Sequence, residues 1–173
     1  IGTLEERFFS IPLQVVEDEQ YIPATDYPDK VRVTIRGKKE GVYHILEEDI
    51  EAEIDLSEVG REGTYTVPVE VKKKGSALNV EPLEIRVDPM EITVQLERKM
   101  TKTLEVVPRF EGFPAHGYEM EQYFISPTFV KVEGPTSQVY NLKHVQTENI
   151  DISRNVYLTY PARCAAGTVR FKL

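Results

Sequence analysis

A single cysteine, Cys164, stands in 173 residues, so no disulfide can close within the chain. That absence alone does not assign a compartment. No run of ~18 apolar residues occurs, so nothing in this sequence reads as a membrane-spanning helix. A basic face is missing as well. The 21 Lys and Arg against 29 Asp and Glu give a formal net charge of −8, whereas a duplex binder draws most of its affinity from phosphate contacts. Nucleic acid is therefore not an expected partner. The densest basic run, Lys72-Lys73-Lys74 before Gly75, reads as a solvated loop tip. Sustained helical periodicity is also lacking. Glu47-Glu48-Asp49 offers a turn ahead of Ile50, and residues 136–145 have room for one helical turn.

Catalytic signatures are equally scarce. The nucleophile elbow, the phosphate-binding loop and the dinucleotide-binding glycine pattern do not occur. The histidines His44, His116 and His144 share no metal-ligand spacing, and closed zinc sites need four ligands. Cys164 lies beside Ala165-Ala166 and reads as a small buried residue; a nucleophile would need a neighbouring base. Glu47, Glu48, Asp49, Glu51 and Glu53 are the right chemistry for a hard cation but lack the spaced Asp-x-Asp-x-Asp-Gly loop. They read as a solvated strand face. The expectation is a non-enzyme with no cofactor and no metal.

What is present is alternation. Val31–Arg36, Ile50–Leu56, Thr64–Val71, Leu83–Val87 and Ile92–Glu97 each place an apolar residue, mostly Val, Ile or Leu, at every second position. So do Leu104–Val106, Val130–Glu133 and Thr168–Phe171. A period of two builds half-buried, mostly antiparallel sheets, and Pro and Gly punctuate the runs at short intervals. Pro68 has no amide donor, so its strand is expected at an edge or a bulge. The fold class is all-β.

The chain also repeats itself. Val33-Thr34-Ile35-Arg36-Gly37 matches Val130-Lys131-Val132-Glu133-Gly134, with the glycines 97 positions apart. Val42-Tyr43 and Ile45 match Val139-Tyr140 and Leu142. Ile54-Asp55-Leu56-Ser57 matches Ile150-Asp151-Ile152-Ser153 at a spacing of 96. Ile11–Val16 resembles Lys102–Val107. A duplicated unit of about ninety residues follows, a normal domain size. The first copy is placed at 1–98 and an abbreviated second at 99–173, joined at Arg98-Lys99-Met100-Thr101. Tyr43 and Tyr140 share a repeat position and read as structural.

In this order the elements resemble the YbbR-like domain family. Each copy has an opening strand, a proline (Pro28 or Pro127), a glycine-ended strand and an Ile-Asp-Leu/Ile-Ser segment. The first copy continues through Gly63–Val69, Val80-Glu81-Pro82 and Val87-Asp88-Pro89. In the second, Gly112-Phe113-Pro114-Ala115-His116-Gly117-Tyr118, Ser126-Pro127 and Gly134-Pro135 look like the family's Gly-x-Pro-x-x-Gly-Tyr and Ser-Pro elements. Glu17-Asp18-Glu19-Gln20 stands where an Asn-Leu-Pro-like turn is usual, and no Gly-x-Tyr strand follows Ser153.

The resemblance implies tandem strand-rich modules on the extracytoplasmic face of the bacterial membrane, anchored by an N-terminal helix outside this chain. The opening Ile1-Gly2-Thr3, without Met, leaves room for such a segment. It also implies a partner: a membrane diadenylate cyclase, the maker of cyclic di-AMP, which such proteins bind and regulate. The Asp-Gly-Ala and Arg-His-Arg motifs associated with those cyclases are absent here, so any effect on cyclic di-AMP would run through that partner. The other reading is a cell-surface adhesion or spacer module of tandem β domains. Either function needs a contact surface, and the aromatic loop Phe113, Pro114, His116 and Tyr118 is the candidate. Its competitor is that Phe113 and Tyr118 pack onto their own sheet, where aromatic area usually goes.

Overall fold

An alternating strand must bury one row of side chains, and the paired registers show how this chain does so. The computed structural model describes residues 2–114, 116–117 and 124–152, with the backbone of 168–170. Strands dominate it, and the chain divides into two compact units, Ile1–Arg98 and Lys99–Lys172.

In the first unit, β1 (Leu4–Val16) is the central strand of a five-stranded sheet. On one side, β3 (Lys30–Lys38) runs antiparallel to residues 4–12 of β1, and β7 (Leu83–Asp88) lies beyond it. On the other side, β4 (Ile50–Asp55) runs parallel to residues 13–16, and β6 (Glu70–Lys73) lies beyond that. Reaching β4 from β3 means crossing over β1, which the chain does through the five-residue α1 (Lys39–Tyr43) and a single 3-10 turn at Glu47–Asp49. No helical periodicity in the sequence marks α1. The turn at Glu47–Asp49 agrees with the sequence reading, and buried Asp49 closes it by accepting the Leu46 amide at 2.8 Å. A second layer consists of β2 (Tyr21–Pro23) and β5 (Gly63–Pro68), both paired with residues 91–98 of β8 (Glu91–Glu111). Between the layers, Val33, Ile35, Val42, Ile45, Ile54, Val94 and Leu96 are fully buried. Gly37 is needed for close approach: a Cβ there would sit 3.1 Å from Val42 and 3.2 Å from the Pro82 carbonyl oxygen. At residues 17–20, Asp18 accepts the Gln20 and Tyr21 amides at 2.7 and 3.1 Å, which makes an Asp-based turn.

The second unit repeats the hook. Residues 99–105 of β8 pair antiparallel with β9 (Phe129–Pro135). The chain then turns through α2 (Thr136–Val139) and crosses to β10 (His144–Asp151), parallel to residues 105–111 of β8. β11 (Thr168–Arg170) adds to β9 in parallel. Leu104, Val106, Val130, Val132 and Val139 form its buried cluster.

Four readings of the sequence need correction. The run Thr64–Val71 is two strands: β5 and β6 join different sheets and are separated at Val69, which is buried and donates to the Met90 carbonyl at 2.8 Å. Among the described residues, Pro68 does lie on a strand paired on one side only. Ile92–Glu97 and Leu104–Val106 belong to one continuous strand, β8, because Arg98–Thr101 keeps extended backbone and pairs throughout. Lys72 and Lys73 lie in β6, not at a loop tip. Finally, the opening strands match differently. Ile35 faces Arg7 and Val132 faces Lys102, so Arg7 is the counterpart of Lys102, and Ile11 that of Val106.

Candidate partner-contact surface

The crossing hook exposes backbone carbonyls wherever its short helix ends, and each copy answers with a cation from the central strand. Arg7 Nη1 donates to the carbonyls of Val42, Tyr43 and Ile45 at 2.9, 3.2 and 2.8 Å. Lys102 Nζ donates to those of Tyr140 and Leu142 at 2.7 and 2.9 Å. Basic side chains commonly satisfy the last carbonyls of a helix in this way. One consequence is that Tyr43 and Tyr140, on these ends, point outward at 71% and 64% exposure. They do not fill the core. Tyr43 packs edge-on against His44, and with Glu5, Arg7 and Leu46 the two line an open hollow.

The aromatic loop begins where β8 stops at Glu111. Gly112 (φ 81°) and Gly117 (φ 86°) take left-handed backbone that favours glycine, so the chain turns at both points. Between them Phe113 is 87% exposed, Pro114 is half-buried and His116 is exposed. Tyr118 lies outside the described residues. Phe113 therefore does not pack onto its own sheet. Phe124, 95% exposed, is a further outward aromatic that the sequence reading did not single out.

Two carboxylates of the acidic run are held in ion pairs. Glu51 and Glu53 pair with Lys74 and Lys72 at 2.8 and 3.4 Å. The hydrogen bond and charge of Lys74 hold the Glu51 carboxyl below its usual range. Asp55 is lowered by hydrogen bonds from Ser57. Two lysines of the basic run thus neutralise two carboxylates of β4, while Lys73 pairs with Glu81 at 3.3 Å. His44, His116 and His144 are all exposed, and the described residues hold no group of three His, Cys, Asp or Glu placed to bind a metal. Cys164 lies outside the described residues. No described helix is long and apolar enough to cross a membrane.

The family model described as YbbR-like protein matches residues 11–96 and again 104–158. The chain belongs to the YbbR-like family. Among curated proteins, it is similar to the CdaA regulatory protein CdaR of Bacillus subtilis, at 26% identity over 156 residues, covering 86% of this chain and 31% of that one. It is also similar to a YbbR-like domain-containing protein of Borreliella burgdorferi, at 23% identity over 121 residues, covering 68% of this chain and 35% of that one. The chain spans about a third of the length of these curated relatives. The crystal structure of a YbbR-like protein from Streptococcus pneumoniae superposes with a TM-score of 0.64 at 15% identity, covering 92% of this chain and 81% of that one. That likeness establishes a YbbR-like fold, and the two family matches fall one on each crossing hook.

Proposed function

We propose that this chain is the non-catalytic, extracytoplasmic YbbR-repeat region of a membrane-anchored protein that binds and regulates a membrane diadenylate cyclase. Its two copies, 1–98 and 99–173, act as tandem binding domains. The similarity to CdaR over 86% of the chain supports the choice of partner. Binding rather than catalysis is supported by one observation above all: Phe113, 87% exposed, is held out on a loop bounded by two left-handed glycines. A side chain of that size offers contact area at low entropic cost. Phe113, Pro114, His116 and Tyr118 form the proposed contact.

The test is co-expression of the full-length protein with its native cyclase. Expected results are co-purification, a changed cyclic di-AMP level, and loss of both on Phe113→Ser. An exposed substitution of this kind shifts stability by only about 0.5 kcal/mol, so folding should be unaffected. No complex and no change in cyclic di-AMP would overturn the cyclase assignment. A complex indifferent to Phe113→Ser and Tyr118→Ser would move the contact elsewhere.

A further inference from the structure

Among the described residues, strand β7 ends the five-stranded sheet, and its outer row of amides and carbonyls has no strand beside it. Such edges invite pairing unless they are short, bulged, or carry proline or unpartnered charge, lysine above all. The other edges of the first unit have these defences: β6 has four residues, β2 has three residues ending in Pro23, and β5 ends in Pro68. By contrast, β7 is regular. Its register against β3 runs without a bulge from Gly37↔Leu83 to Arg32↔Asp88, and its prolines, Pro82 and Pro89, lie just outside it. Leu83, Ile85 and Val87 face the core yet stay half-buried, while Glu84, Arg86 and Asp88 face water.

We propose that β7 pairs antiparallel with β7 of a second copy of this chain about a two-fold axis at Ile85. Charge complementarity selects the occupant and the register. With the axis at Ile85, Glu84 lies opposite Arg86 of the second copy, twice by symmetry, and Leu83 lies opposite Val87 on the core face. Moving the axis to Arg86 would set Arg86 against itself and Glu84 against Asp88. Moving it between the two would set Ile85 against Arg86 and mismatch the faces. Arg86 is already steadied by Glu6 at 2.7 Å, and a guanidinium retains further donors for a second carboxylate. The pairing extends the sheet across both copies and covers the half-exposed edge of the core.

Sedimentation velocity of the 173-residue chain, over a concentration series from micromolar to millimolar, tests this. The wild type should dimerise. E84R and R86E should each weaken the dimer about tenfold or more, because both symmetric pairs become repulsive. The double swap E84R/R86E should restore it to within about threefold. Mixing the two single variants should also give a dimer, since E84R carries a cation at both positions and R86E a carboxylate at both. Far-UV circular dichroism should be unchanged, as both positions are exposed. A wild type monomeric throughout, single variants as tightly associated as wild type, or a mixture no heavier than its components would each overturn the proposal. The outcome is independent of the cyclase reading.

Discussion

In the first copy Ile45 is fully buried beside Val42, and Arg7 binds three carbonyls around them. At the matching place in the second copy Leu142 is half-buried, and Lys102 binds two. The skeleton is the same: a central strand, an antiparallel return, a helical turn and a crossing to the parallel side. Among the described residues, the extent of the buried cluster differs. The first copy lays Ile92, Val94 and Leu96 of β8, with Tyr65 and Val67 of β5, over its sheet in one cluster. The buried cluster described for the second is Leu104, Val106, Val130, Val132 and Val139, backed by half-buried Met100, Ile125, Leu142 and Val145. The crossing hook is therefore the part of the design that both copies share.

The largest effect should come from cutting that row at its centre. Ile35 and Val132 occupy the same position, and both are fully buried. Ile35→Ala should destabilise the first unit by about 2–5 kcal/mol through lost transfer energy and a cavity. Val132→Ala should cost less, about 1.5 kcal/mol, because it removes two buried methylene-sized groups worth about 0.8 kcal/mol each. Urea denaturation gives the sizes, and hydrogen exchange assigns each to its unit. A greater loss at Val132 would break the comparison, because the more extensive described cluster surrounds Ile35.

Next in size is the carbonyl clamp. Arg7→Met leaves three carbonyls without their donor and Lys102→Met leaves two, at a cost of about 1–3 kcal/mol each, larger for Arg7. Arg7→Lys should recover only part of the loss, because a compact ammonium does not reproduce the span of a planar fork. Thermal melts of the three variants check the order. Equal losses from both methionine variants would mean that the third carbonyl contributes nothing.

The hook's pieces are legible in the sequence but their alignment is not, and the reason is physical. Val31–Arg36 and Val130–Glu133 read as strands because period-two burial is a local property. Matching the opening strands by pattern places them four residues out of step, because an alternating pattern resembles itself at every even shift. Only pairing sets register: Arg7 opposite Ile35 and Lys102 opposite Val132 fix it. A similar ambiguity hides the break after Pro68, where the alternation continues into a different sheet. Arg98–Thr101 looks like a joint because it is polar, yet strand backbone depends on partners rather than on apolar content. The candidate loop is legible as aromatic and glycine-bounded. Its exposure is not, since the residue type Phe carries no information about which way it points. The outward direction of Tyr43 and Tyr140 is hidden for the same reason: a repeated position carries no information about burial.

The smallest effect should be electrostatic and confined to the first copy. Lys74 lowers the Glu51 carboxyl by hydrogen bond and charge. A carboxyl whose folded pKa lies below its unfolded value of about 4.3 contributes its stabilisation fully above that value. The contribution declines as the pH falls towards the lower folded pKa, and it is gone below it. Lys74→Gln should therefore flatten the acid limb of the stability curve below about pH 4.3, leaving the variant and wild type closer together in acid than at neutral pH. Added salt should shrink the neutral-pH difference, because an exposed pair is screened. Urea midpoints at about pH 7 and about pH 3, on either side of that unfolded value, each at low and high salt, supply the comparisons. A difference between variant and wild type that is undiminished in acid would show that Lys74 acts through packing, and its pairing with Glu51 would then contribute nothing through charge.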